Sequence, residues 1–167
     1  TTGFVTEDVA QWPTSASTLL LFAAFAGGCA GSTAGGIKLV RVLMVYLQGM
    51  REVRRLIHPN GVFPIKLGKT PVSGRLIESV WSFFSVYALL FFLSVIVIMI
   101  TSELDFLTAV SAVGATLNNL GPGLGEVASN YASLDADVKW VLMFNMMLGR
   151  LEIFTLLVLL TPAYWRR

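Results

Sequence analysis

Cysteine occurs once in this chain, at Cys29, and histidine once, at His58. A lone thiol excludes an internal disulfide, and no cysteine and histidine spacing here suits a metal, which argues against redox chemistry. Charge is scarce as well. Asp, Glu, Lys and Arg make up 13% of the 167 residues, where a soluble domain carries about a quarter. The chain begins Thr1-Thr2-Gly3-Phe4, with no initiator methionine, basic leader or cleavage site, so no signal peptide is visible and a piece of a longer polypeptide is expected.

What is abundant is apolar surface: 55% of the residues are hydrophobic and the mean hydropathy is +0.73. Lipid is the expected solvent. No charge lies between Glu78 and Glu103, and the run VWSFFSVYALLFFLSVIVIMI is long enough to cross a hydrocarbon core of about 30 Å. Two further stretches are candidate crossings, from about residue 18 through the interruption GGCAGSTAGG to about 49, and from about 138 to 164.

The few charges are segregated. Lys38, Arg41, Arg51, Arg54, Arg55, Lys66, Lys69 and Arg75 face one acid, Glu52, and the chain ends Arg166-Arg167. The positive-inside rule puts 38–75 and the C-terminus in the cytoplasm. Glu7, Asp8, Glu103, Asp105, Glu126, Asp135 and Asp137 flank the opposite ends, with Lys139 the one base among them, and face outside. Three crossings follow: inward, outward, inward. Aromatic residues are not interleaved with the 38–75 bases, so a nucleic-acid partner is not expected. Lipid headgroups or a protein partner are.

After the uncharged run come Ser102-Glu103-Leu104-Asp105, then LTAVSAVGATL, then NNLGPGLG. Ser102 is the expected N-cap, with Glu103 and Asp105 in a first turn that favours acids. The helix can run to about Leu117, roughly 20 Å, before Asn-Asn and Gly-Pro-Gly stop it. That is too short to span. With both flanks outside, the segment descends as a helix and climbs back as an extended strand. Irregular backbone at such depth survives only where protein buries it or water lines it. The stretch Thr116-Leu117-Asn118-Asn119-Leu120-Gly121-Pro122-Gly123 could align carbonyls that replace a cation's water shell, with the negative end of the helix aimed at the same place. An extracellular amphipathic helix followed by an ordinary Gly-Pro turn is the alternative.

Gly27, Gly28, Gly31, Gly35 and Gly36 surround Cys29, Ser32 and Thr33 in an uncharged stretch. Each glycine weakens a helix by about 1 kcal/mol against alanine, so the first crossing opens there. Such a break presents backbone dipoles and hydroxyls to a cavity, or moves as a gate. A phosphate loop is excluded because Ile37 precedes Lys38 and Leu39 follows it. Gly31-Ser32-Thr33-Ala34-Gly35 is not a nucleophile elbow, and His58 lies in the basic loop, so no enzyme is expected. Helix packing through small residues remains as an alternative.

The last crossing carries Asn145, Arg150 and Glu152. An arginine near mid-bilayer costs at least about 2.5 kcal/mol and needs acceptors. Glu152 sits about 200° around the helix from Arg150, so the acceptors are sought in the Gly27–Gly36 break, which Arg150 would pin across a pore. A structural arginine bridging helices elsewhere is the alternative.

Thr1-Thr2-Gly3-Phe4, GGCAGSTAGGIKLVR at 27–41, NNLGPGLG at 118–125 and GRLEIFTLL at 149–157 together resemble, in that order, motifs of the TrkH potassium transporters of the TrkH/Trk/Ktr superfamily. Ala34 stands where a glycine is expected. The resemblance implies an all-α membrane protein in which helix, re-entrant pore loop, helix repeats surround a central ion pore, with one inward-going helix broken by a Gly-rich loop. It implies that 1–49 holds the end of the third filter and the broken helix, 50–77 a basic cytoplasmic loop, and 78–167 the fourth repeat. Potassium filter residues would be Thr1, Thr2, Gly3, Thr116, Leu117, Asn118, Asn119, Leu120 and Gly121. Gating residues would be Gly27, Gly28, Gly31, Ser32, Thr33, Gly35, Gly36 and Arg150.

Potassium would be transported, with no organic cofactor in this chain. Implied partners are the rest of a four-repeat polypeptide, a second copy in a homodimer, a cytosolic nucleotide-binding regulatory ring (TrkA-like) and the lipid of a bacterial cytoplasmic membrane. An ion-coupled secondary transporter with its substrate site at the broken helix is a competing reading. So is a non-conducting structural subunit.

Overall fold

The computed structural model describes residues 12–29, 31, 32 and 34–165; the expected filter residues Thr1, Thr2 and Gly3, the gate residue Thr33 and the terminal arginines lie outside them. Helix α1 (Thr14–Ala26) starts behind Pro13 and ends at Gly27, whose φ of 68° favours glycine. Helix α2 (Leu39–Ile57) begins after the glycine-rich stretch. The first crossing is therefore opened where its glycines cluster. The second helix runs further than expected, carrying the bases Arg51, Arg54 and Arg55 inside it rather than in a loop. A two-stranded hairpin, Lys66–Leu67 paired antiparallel with Thr70–Pro71, turns at Gly68 within the basic segment.

Helix α3 (Gly74–Thr101) takes up the uncharged run and, among the described residues, is the one single helix long and apolar enough to cross a membrane. Its end differs from the expectation. Ser102 closes α3, its N–H and its hydroxyl both donating to the Ile98 carbonyl, so it does not cap the next helix. That task falls to Asp105, whose carboxylate accepts the Leu107 N–H at 3.2 Å. Helix α4 (Phe106–Leu117) is thus 12 residues, or about 18 Å.

Short as it is, α4 is the buried centre of the chain. Every residue from Ser111 to Asn118 is buried, and α4 packs on α1, α3 and the next long helix, α5 (Ala136–Arg150). One apolar cluster joins Val95 and Ile98 of α3, Ala109, Ala112 and Val113 of α4 and Val138 and Leu142 of α5. A second joins Ile37, Phe83, Tyr87, Leu117 and Leu148 beneath the C-terminal end of α4. Ser94 donates to Asn145 Oδ1 at 2.9 Å across the α3–α5 contact, so the intramembrane asparagine has an interhelical partner.

The last apolar stretch is two helices, not one. Between α5 and α6 (Ile153–Leu160) the axis turns by 108°, with Glu152 at φ 54°, before a short α7 (Pro162–Trp165). At the turn the Glu152 carboxylate meets Arg41 of α2 at 2.9 Å, and the Arg41 guanidinium lies 4.2 Å over the Phe83 ring.

Candidate functional site

Beyond Leu117 the chain reverses. Asn118 caps α4 through N–H bonds to its last turn, Asn119 takes φ 54°, and the Leu120 N–H returns to the Ala115 carbonyl at 2.8 Å. Asparagine tolerates that left-handed geometry. Gly121, at φ 109°, occupies a conformation side chains rarely adopt. The strand then climbs alongside the helix it has just left. Leu124 donates its N–H to Ser111 Oγ at 2.9 Å, and a Cβ on Gly125 would land on the Thr108 hydroxyl. A 3-10 turn at Gly125–Val127 ends the ascent, where the Gly123 N–H meets the Val127 carbonyl at 3.1 Å. Descent and return are thus both present, as the element lengths and the Asn-Asn and Gly-Pro-Gly breaks predict.

Side chains hold the reversal in place. Asn118 is fully buried: its amide donates to the Gly114 carbonyl at 2.8 Å and accepts the Tyr87 hydroxyl at 2.8 Å. Thr116 turns its hydroxyl back onto the Ala112 carbonyl at 2.7 Å, and Leu117 packs into the second apolar cluster. Asn119 Nδ2 donates to the Met146 carbonyl at 3.3 Å. Two glycines admit the loop backbone from opposite directions. A Cβ on Gly149 of α5 would collide with the Leu117 carbonyl oxygen and come within 2.7 Å of Asn119 Nδ2. A Cβ on Gly35 would strike the Asn118 carbonyl.

Gly121 is exposed, and its carbonyl accepts the Tyr131 hydroxyl at 2.8 Å. Burial pushes the Tyr131 phenol up to about 12. It is therefore a neutral donor at every physiological pH. Because the folded-state value lies above the ordinary one of about 10, the stability it adds is complete below about pH 10 and is lost as the pH rises towards 12. Tyr131→Phe is expected to cost about 0.5–1.5 kcal/mol at neutral pH. Melting curves of wild type and variant should converge between pH 10 and 12, and a gap that persists unchanged would show that burial does not raise the phenol.

The glycine-rich break is stapled at its base. Ile37 N–H donates to the Phe25 carbonyl and Leu39 N–H to the Gly28 carbonyl, each at 3.0 Å. Ala34 N–H meets Ser32 Oγ at 3.2 Å, and the Lys38 ammonium donates to the Ser32 carbonyl. Lys38, read from the sequence as one of the cytoplasmic bases, is therefore the cation on this loop. Arg150 makes no hydrogen bond or ion pair among the described residues. It borders a cavity of about 460 Å³ beside Ser32, Ala34 and Gly36, and a second of about 650 Å³ beside Thr116, Asn119 and Gly121. Of the expected gate glycines, Gly35 and Gly36 pack inward, Gly36 against Ala24 and Gly27, whereas Gly31 has open space around it.

Several residues that build the site were not singled out in the sequence: Tyr87, Tyr131, Gly149 and the Arg41–Glu152 pair. Tyr87 carried a signal, being the one tyrosine inside the uncharged run of α3. The others became visible through contacts distant in sequence.

Over residues 1–167 the chain matches the TrkH family model, described as a cation transport protein. It is 55% identical over 166 residues to the Trk system potassium uptake protein TrkH of Salmonella typhimurium, covering 99% of this chain and 34% of that protein. With the Trk system potassium uptake protein TrkG of Escherichia coli it shares 40% identity over 164 residues, covering 98% of this chain and 34% of that one. The crystal structure of the potassium transporter TrkH from Vibrio parahaemolyticus matches with a TM-score of 0.88 at 53% identity, over 98% of this chain and 35% of that one. The chain spans about a third of the length of the curated relatives it matches. Those relatives are named for transport, not for an enzymatic reaction. A mostly helical membrane fold, a 12-residue helix followed by a returning strand and a helix broken at its glycines therefore go with similarity to one family along the whole of this chain: the chain belongs to the TrkH family of cation transport proteins.

Proposed function

We propose that this chain supplies one filter segment and the gate of a potassium-uptake pore in a bacterial cytoplasmic membrane, the remaining filter segments coming from the rest of a four-repeat polypeptide. The observation that carries the reading is the return of Gly123–Gly125 along the flank of α4, from Leu117 back to the level of Thr108. A reversal at this depth, clamped between Gly35 and Gly149, presents Thr116–Gly121 at the negative end of a helix. That is a place for a partly dehydrated monovalent cation, stabilised by carbonyl dipoles. The relatives named for potassium uptake supply the choice of ion.

In this reading residues 27–36 form a flap beneath the filter, held by Lys38, and Arg150 is a fixed positive charge between the cavities on its two sides. Cations cross only when that charge is screened or displaced. Segment 38–75 faces the cytoplasm, where a second copy and a nucleotide-binding ring complete the assembly.

The test is rubidium influx and potassium-limited growth of an uptake-deficient bacterium, with this sequence replacing the matching third of the Vibrio parahaemolyticus relative. Gly121→Ser strains a backbone at φ 109° and should abolish or broaden cation uptake at unchanged membrane level. Influx and selectivity identical to the parent would remove the filter from 116–121.

A further inference from the structure

The cytoplasmic end of α2 faces the segment leading into the hairpin across a cavity of about 300 Å³. Its walls include Tyr46, Met50, Arg51, Arg54, Phe63 and Lys66, and no acid lines it. We propose that this cavity binds the phosphate group of an anionic phospholipid of the inner leaflet.

The charge balance is the first reason. One carboxylate, Glu52, is shared by Arg51 and Arg55, each at 3.5 Å, and by the Gln48 amide at 2.8 Å. Arg54 and Lys66 have no ion pair among the described residues. Arg51, which shares Glu52, and the unpaired Arg54 and Lys66 thus line the cavity with no acid among its walls, a balance that suits a phosphate oxygen.

Polarity along the helix is the second. Tyr46 and Met50, 62% and 40% exposed, precede Arg51 and Arg54 by about one turn. Acyl chains on the membrane side and phosphate on the cytoplasmic side match that order, whereas soluble phosphate would need the cations alone. The inference rests on the cytoplasmic placement of 38–75, and its readout is lipid binding rather than flux, so its failure and the failure of the pore reading are distinguishable.

The experiment is native mass spectrometry of the same full-length chimaera, titrated with phosphatidylglycerol or phosphatidylcholine, with and without millimolar inorganic phosphate. Phosphatidylglycerol should be retained in preference and resist competition by inorganic phosphate. Arg54→Gln with Lys66→Gln, both at exposed positions, should weaken its binding roughly tenfold or more, and Arg54→Lys with Lys66→Arg should restore it. Equal retention of both lipids, or undiminished binding by the double Gln variant, overturns the proposal. Displacement by inorganic phosphate overturns it in favour of a soluble anion. A double Gln variant that keeps the lipid but loses a cytosolic protein overturns it in favour of an acidic protein surface.

Discussion

Gly149→Ala lowers the stability of the chimaera by about 1–3 kcal/mol and abolishes cation uptake. The sign is what makes this informative. Gly149 is in the last turn of α5, and alanine in an unobstructed helix would be worth up to about 1 kcal/mol more than glycine. Here the added methyl meets the Leu117 carbonyl and the Asn119 amide, neither of which is the loose end of a flexible side chain. Leu117 is anchored among Ile37, Phe83, Tyr87 and Leu148, and Asn119 is held on the Met146 carbonyl. The backbone of the reversal must move, and with it every carbonyl from Thr116 to Gly121. Thermal unfolding in detergent and rubidium influx check the two halves. A variant that melts higher than its parent while conducting normally would show that the loop does not rest on this glycine.

Asn118→Ala should cost about 1–3 kcal/mol for each partner it leaves unpaired, and should also reduce uptake. The Tyr87 hydroxyl loses its acceptor at a buried position, whereas the Gly114 carbonyl keeps the backbone N–H of residue 118 at 3.1 Å. Tyr87→Phe removes one of these bonds and leaves the Asn118 oxygen without its donor. Melting all four members of the Tyr87→Phe and Asn118→Ala cycle separates the shared bond from the rest. A coupling of roughly 0.5–3 kcal/mol is expected. Strict additivity would mean that the two side chains act independently and that the geometry at Asn118 is held by the helix end alone.

The outline of α4 and its return was legible because it depends on local chemistry: an acid-capped apolar run ended by Asn-Asn and Gly-Pro-Gly. The opening at Gly27–Gly36 was legible for the same reason. What escaped was the choice between equivalent local options. Ser102 and Asp105 are both good caps, and Ser102 is taken up in closing α3 through its own bonds to the Ile98 carbonyl four residues back, which leaves the N-cap to Asp105. Arg41 reads as one more cytoplasmic base, and its partner Glu152 lies 111 positions away, at the break between α5 and α6. Gly149 reads as an ordinary small residue, because what it accommodates is a carbonyl more than thirty positions earlier. That Lys38 reaches the Ser32 carbonyl was likewise not legible: it is decided by how the loop folds back, and the intervals in sequence do not encode it.

That folding back also sets what the loop can become. Its two ends are tied together by the Ile37-to-Phe25 and Leu39-to-Gly28 bonds, so the spacing of α1 and α2 does not depend on the contour between them. Loop-closure entropy grows only logarithmically with length, by about 0.6 kcal/mol for a doubling. Natural variation can therefore lengthen or shorten the segment at little thermodynamic penalty while the flanking helices stay in register.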